Sequence, residues 1–169
     1  MKRAFYIGRF QPYHYGHDAV IKSIAKEIDE LVIGIGSAQR SHSTPDPFTA
    51  GERVLMISAA LEDLEIPHYI IPIEDVKYNS IWPAHVRSMT PPFELVYSNN
   101  PLVIQLFSDF NVKVKQSPMY QRAECSGTRI REKMLKDEDW EHLVPDKVVE
   151  IIKEINGIQR LKNVTRKDH

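Results

Sequence analysis

Gly8-Arg9-Phe10-Gln11-Pro12-Tyr13-His14-Tyr15-Gly16-His17 is the stretch around which this 169-residue chain is organised. The apolar run Ala4-Phe5-Tyr6-Ile7 precedes it, and Ala19, Val20, Ile24 and Ile28 follow at helical spacing. The stretch therefore joins a buried strand to a helix. Gly8 and Gly16 let the backbone approach a bound group, and Pro12 stiffens the turn. Arg9, His14 and His17 add hydrogen-bond donors beside a helix N-terminus, a combination suited to a polyphosphate. Two histidines three residues apart could form half of a zinc site. With one cysteine in the chain and no second pair at ligand spacing, that cage stays incomplete. The remaining bland reading is a structural turn.

Outward from this loop, apolar runs recur at Leu31-Val32-Ile33-Gly34-Ile35, Tyr69-Ile70-Ile71-Pro72-Ile73, Glu94-Leu95-Val96-Tyr97 and Val112-Lys113-Val114, separated by helical patterns. Such βαβ alternation predicts an α/β fold with a doubly wound parallel sheet covered by helices on both faces and a ligand outside the carboxyl ends of the strands. Pro72 makes the third strand an edge. Gly36-Ser37-Ala38-Gln39 and Ser98-Asn99-Asn100 follow the second and fourth strands and belong to the same end. Residues 36 to 47 are polar and read as an exposed, mobile loop and a candidate lid. Thr49-Ala50-Gly51-Glu52 has the capping-box pattern, with Val54, Leu55, Ile57, Ser58 and Leu61 as the apolar helix face. Arg53 stays open between a solvated helix residue and a site residue. Trp82 and Asn79, one turn apart after the third strand, could stack a flat ring and bond its carboxamide, against a plain core role for the tryptophan. His85 and Arg87 read as surface.

Ser126 and Thr128 can cap a helix whose first turn binds an anion, reinforced by Arg129 and Arg131. Farther on, Val144, Val148, Ile151, Ile152 and Ile155 form an apolar helical stripe with Pro145 near its start. A single domain over residues 1–169 is expected, with a frayed tail at 162–169.

Composition narrows the partners. Hydrophobic residues make up 42% and charged residues 27%, an ordinary globular balance. A net charge of −1 and a pI near 6.7 provide no basic field for nucleic acid or an anionic membrane. No apolar run reaches the roughly 20 residues of a membrane span, and no secretory signal pattern begins the chain. A cytoplasmic location is expected, consistent with Cys125 being the single cysteine. Cys125 precedes Ser126 at the helix start and reads as a neighbour of the site rather than a nucleophile.

The Phe10-Gln11-Pro12 run with His14-Tyr15-Gly16-His17 resembles the first, His-x-Gly-His, signature of the nucleotidyltransferase superfamily. Ser126-Gly127-Thr128-Arg129-Ile130-Arg131 is similar to its second. With Asp46-Pro47-Phe48-Thr49-Ala50-Gly51-Glu52-Arg53, Asn79-Ser80-Ile81-Trp82 and Thr90-Pro91-Pro92-Phe93, the chain resembles archaeal-type nicotinamide mononucleotide (NMN) adenylyltransferases from Phe5 to Leu161. That resemblance implies a Rossmann-like five-stranded sheet of order 3-2-1-4-5. It implies transfer of AMP from ATP to NMN, giving NAD⁺ and pyrophosphate by direct in-line attack on the α-phosphate. His14, His17 and Arg131 would be catalytic, His17 at the α-phosphate. Gly8, Arg9, Phe10, Ser98, Asn99, Asn100, Ser126, Thr128 and Arg129 would bind ATP and its phosphates, and Asn79 and Trp82 would bind NMN. Mg²⁺ would arrive on ATP with no protein ligand, and the assembly would be a homo-oligomer, a hexamer as in archaeal relatives.

Two departures from the family pattern stand out. Pro45 occupies a position that is often basic, with Arg40 as a substitute, and Asn99 replaces a glycine, where an Asn at positive φ would keep the turn. The rival readings are another acceptor within the superfamily, giving dephospho-coenzyme A, FAD or a CDP-alcohol, and a nucleotide sensor without turnover.

Overall fold

The computed structural model describes residues 1–117 and 125–166. Five parallel strands, β1 (Arg3–Gly8), β2 (Glu30–Ile35), β3 (His68–Pro72), β4 (Leu95–Tyr97) and β5 (Lys113–Lys115), form one sheet in the order β3-β2-β1-β4-β5. This is the order that the resemblance implied. β1 and β2 read as unbroken apolar runs because helices cover both faces of the sheet. Along β1, Ala4 enters one core cluster and Phe5 the other, as the two-residue period of a strand requires. Pro72 closes the edge strand β3, where a missing N–H costs no ladder bond, and the other edge, β5, carries Lys113 and Lys115.

Seven helices accompany the strands among the described residues: α1 (Tyr15–Ala25), α2 (Ala50–Ala60), α3 (Trp82–Met89), α4 (Pro101–Asp109), α5 (Gly127–Leu135), α6 (Asp146–Glu154) and α7 (Gly157–Thr165). Ile21 and Ile24 of α1, Met56 and Ile57 of α2, Ile130 and Met134 of α5, and Val148 and Ile152 of α6 fill the larger cluster. The smaller one packs Val86 of α3 and Val103 and Phe107 of α4 on Phe5 and Phe93, whose rings stack at 5.0 Å. No helix among the described residues is long and apolar enough to cross a membrane.

Local patterns hold with three corrections. In α2 the Thr49–Glu52 capping box forms, yet Leu55 is 56% exposed and Met56 is buried in its place. The 141–155 pattern divides into a single 3₁₀ turn (Glu141–Leu143) and α6, because Pro145 has no N–H to continue a helix and sits at the α6 N-cap. The tail expected to fray from residue 162 stays helical through Thr165. Leu161 is buried, and Lys162 pairs with Asp137 at 2.5 Å. Residues 167–169 lie outside the described ones.

Candidate active site

The β1–α1 loop closes on itself through its two histidines. His14 is the α1 N-cap, and its Nδ1 accepts the Gly16 N–H at 3.0 Å. The Nδ1 of His17 in turn accepts the His14 N–H at 3.2 Å, so the pair forms a capping box from imidazoles. An Nδ1 that accepts a backbone N–H leaves the proton of a neutral ring on Nε2, so each ring carries its N–H there. The rings stack at 3.8 Å, and His17 packs on Phe10 at 4.6 Å. Burial, with the Arg131 charge beside it, lowers the His14 pKa to about 4. Burial first, then His14, holds His17 well below its ordinary value. At neutral pH both act as neutral donors, and the positive charge of the site belongs to arginines.

Gly16 is required by close approach, though to its own neighbour rather than to a ligand: a Cβ there would lie 2.7 Å from the His14 ring. Gly127 likewise makes room for Arg131, whose guanidinium would be 2.7 Å from an added Cβ. Arg131 Nη1 donates to the Gln11 carbonyl at 2.7 Å, joining α5 to the histidine loop across 120 residues of sequence. Gln11 itself pairs like a backbone segment with Phe48, its Nε2 donating to the Phe48 carbonyl and its Oε1 accepting the Phe48 N–H.

A cavity of about 650 Å³ opens at the carboxyl ends of the strands. Gly8, Arg9, Ser98, Asn100, Asn79 and Trp82 line it, together with Ser37 of the loop after β2, Arg40 as the substitute for Pro45, and Asp75 and Val76, which the sequence had not singled out as ligand groups. Asn79 opens a 3₁₀ turn and Trp82 starts α3, with its ring edge-on to Phe107 at 5.5 Å. The tryptophan thus serves core and cavity together. Asp75 accepts from Ser37 Oγ at 3.0 Å and Gln39 Nε2 at 2.8 Å, and Arg40 Nε lies 3.5 Å from it. Arg40 therefore reaches the cavity, as the Pro45 departure requires, while Pro45 is exposed.

Five of the expected ligand groups have side chains that are packed in the core, bonded within the protein or exposed to solvent. The Phe10 side chain is 1% exposed and belongs to the core, so only its backbone remains for a nucleotide. Asn99 adopts no positive φ. Its Nδ2 donates to the Ser117 carbonyl at 2.9 Å, which absorbs the departure from glycine. Ser126 caps α5 by accepting the Arg129 N–H at 3.2 Å, whereas Thr128 Oγ1 accepts from Arg131 at 3.4 Å instead of capping. Arg129 is exposed, and only its backbone N–H takes part in that cap.

Arg53 is fully buried and is no solvated helix residue. It donates to six backbone carbonyls, those of Arg9, Gly36, Ser37, Ala38, Arg40 and Thr49. The first half of the loop read as mobile is therefore pinned, including Ser37 at φ 48°. Its signal in the sequence was only its place one residue after a capping box. Cys125, expected beside the site without a base near it, lies 3.4 Å from His14 Nδ1 and accepts the Gly16 N–H at 3.2 Å. His85 is only half-buried, yet its Nε2 is out of contact with solvent, a partial departure from the surface reading.

Residues 5–133 match the cytidylyltransferase-like family. The chain belongs to that family. Within the cytidylyltransferase-like family it is 67% identical over 169 residues to a nicotinamide-nucleotide adenylyltransferase of Methanosarcina barkeri, covering 100% of this chain and 98% of that one. A protein of the same name from Methanosarcina mazei is 66% identical over 168 residues, with 99% and 97% covered. Among solved structures, a bifunctional NMN adenylyltransferase/ADP ribose pyrophosphatase from Francisella tularensis, complexed with AMP and manganese ion, superposes with a TM-score of 0.76 at 20% identity. That match covers 96% of this chain and 52% of the Francisella chain, and it shows the shared fold. Family and full-length relatives together make this chain a nucleotidyltransferase.

Proposed function

We propose that the chain transfers AMP from ATP to NMN, releasing pyrophosphate and forming NAD⁺. One observation carries the choice of acceptor: a single cavity is lined by Arg9 of the β1–α1 loop, by Ser98 and Asn100, and by Asn79 and Trp82. An amide beside a tryptophan edge suits a flat ring bearing a carboxamide. The names of the relatives that match over the whole chain support the same reading.

The 5′-phosphate of NMN is anionic at neutral pH, since a phosphate monoester has its second pKa near ~6. No general base is needed, and catalysis reduces to alignment and charge stabilisation. His17 Nε2–H donates to the α-phosphate as negative charge shifts in the transition state, and His14 and Arg9 hold the phosphate chain. Arg131, fixed by Gln11 and Thr128, receives the leaving pyrophosphate with the α5 N-terminus. A divalent ion would neutralise phosphate charge. Mg²⁺ is assigned to the oxygens of ATP, because this ion keeps several of its waters and binds mainly through substrate phosphates. We further place the enzyme in the cytoplasm as a homo-oligomer, with a hexamer as the form to test by light scattering.

Chromatographic assays with ATP and Mg²⁺, given NMN, 4′-phosphopantetheine or FMN in parallel, test the proposal. Dinucleotide from NMN alone is expected. Product from another acceptor alone would move the specificity, and no pyrophosphate from any would favour a sensor.

A further inference from the structure

Asp46 is wholly buried, and among the described residues neither of its carboxylate oxygens has a hydrogen-bond partner. Buried carboxylates are ordinarily bonded, so an orphan calls for a reason. Its surroundings are cationic: Arg9 Nη1 lies 3.7 Å from Oδ1, and its charge also acts on Arg53 and Arg131.

The three arginines differ in how far they are committed. Arg53 has spent its donors on backbone carbonyls, and Arg131 has given Nη1 to Gln11. Arg9 is half-exposed at the cavity wall, with one bond, at 3.3 Å, to Ser37 Oγ. At 3.7 Å, Asp46 attracts Arg9 without occupying its donors, so they remain available to an entering phosphate. Any anion bound to Arg9 and Arg131 then shares them with a fixed negative charge behind them.

We propose that Asp46 is an internal counter-ion of the phosphate-binding arginines, weakening their hold on pyrophosphate so that this product leaves. The inference rests on the polyphosphate reading of the site. With Asp46 ionised the three arginines carry a net charge of about +2, and without it about +3, as ordinary side-chain charges dictate. A unit charge several ångströms from a polyanion in a partly buried site changes its affinity on the order of tenfold.

Asp46→Asn keeps the shape and removes the charge. Pyrophosphate binding to the wild-type protein and to D46N, by calorimetry without other substrates, is the direct test. About tenfold tighter binding to D46N is expected, with a correspondingly lower inhibition constant for pyrophosphate in the forward reaction. Equal or weaker binding to D46N would overturn the role of Asp46 alone, whereas no binding to either protein would overturn the polyphosphate reading itself. A merely structural role predicts loss of stability and weaker binding of every substrate. If D46N folds poorly, its thermal shift with added pyrophosphate decides: a larger shift than that of the wild type supports the counter-ion, and a smaller one refutes it.

Discussion

At the scale of single residues, the proposed site sets imidazoles that burial keeps neutral beside charged guanidiniums. His17→Ala should lower kcat by roughly 10²–10³-fold, the cost of removing one donor to developing charge, with a much smaller change in the dissociation constant for ATP. Steady-state rates set beside equilibrium ATP binding check this, and equal losses in both would remove the transition-state role. The depressed pKa of His14 also makes a prediction about stability. An unfolded histidine titrates near ~6.5 and the folded His14 near about 4, so between these values the unfolded chain binds more protons. Stability should be complete above pH ~6.5 and decline as pH falls toward ~4. His14→Asn, which keeps an acceptor at the N-cap, should flatten that decline in urea titrations run at several pH values.

Among the elements, the loop between β2 and α2 has its geometry imposed from outside by Arg53. Arg53→Met removes every donor to the six carbonyls and leaves Asp46 without its buried counter-charge, a loss of about 3 kcal/mol or more. Denaturant unfolding should show it as a lower midpoint, and the Michaelis constant for NMN should rise because Ser37 and Arg40 line the cavity. A normal constant in a destabilised variant would confine Arg53 to the fold. Trp82→Ala, in the turn after β3, should raise the constant for NMN and leave that for ATP nearly unchanged, as initial-rate kinetics with each substrate varied would reveal.

For the whole molecule, the C-terminal helices hold the site from behind. Arg160 of α7 makes a paired contact with Glu52 of α2 at 2.6 and 2.7 Å, and it bonds the Pro47 carbonyl at 3.1 Å. Glu52 in turn closes the capping box of the helix that carries Arg53. Arg160 is about one-fifth exposed, so its charge is partly screened, and Arg160→Ala should cost about 1–2 kcal/mol of unfolding free energy. The activity of the folded fraction should persist at low temperature. Urea unfolding beside an assay at 10 °C or so separates the two effects.

The sequence by itself determined the order of strands and helices, the loops at their carboxyl ends and the residue types able to meet a polyphosphate. Those features are local: a two-residue or 3.6-residue apolar period, a cap and a strand-to-helix turn are written in neighbouring positions. His14, His17, Asn79 and Trp82 were legible for that reason, with the resemblance adding their roles. Only the tertiary structure decided how Arg53 and Asp46 are used, because Arg53 gathers carbonyls of the β1–α1 and β2–α2 loops and Asp46 faces Arg9 of the β1–α1 loop. A buried arginine bonded to backbone carbonyls leaves no mark in the sequence, since carbonyls belong to every residue. It also decided where the Phe10 and Asn99 side chains go. A side chain's direction follows from what packs around it, and for these two that is the core and the Ser117 carbonyl.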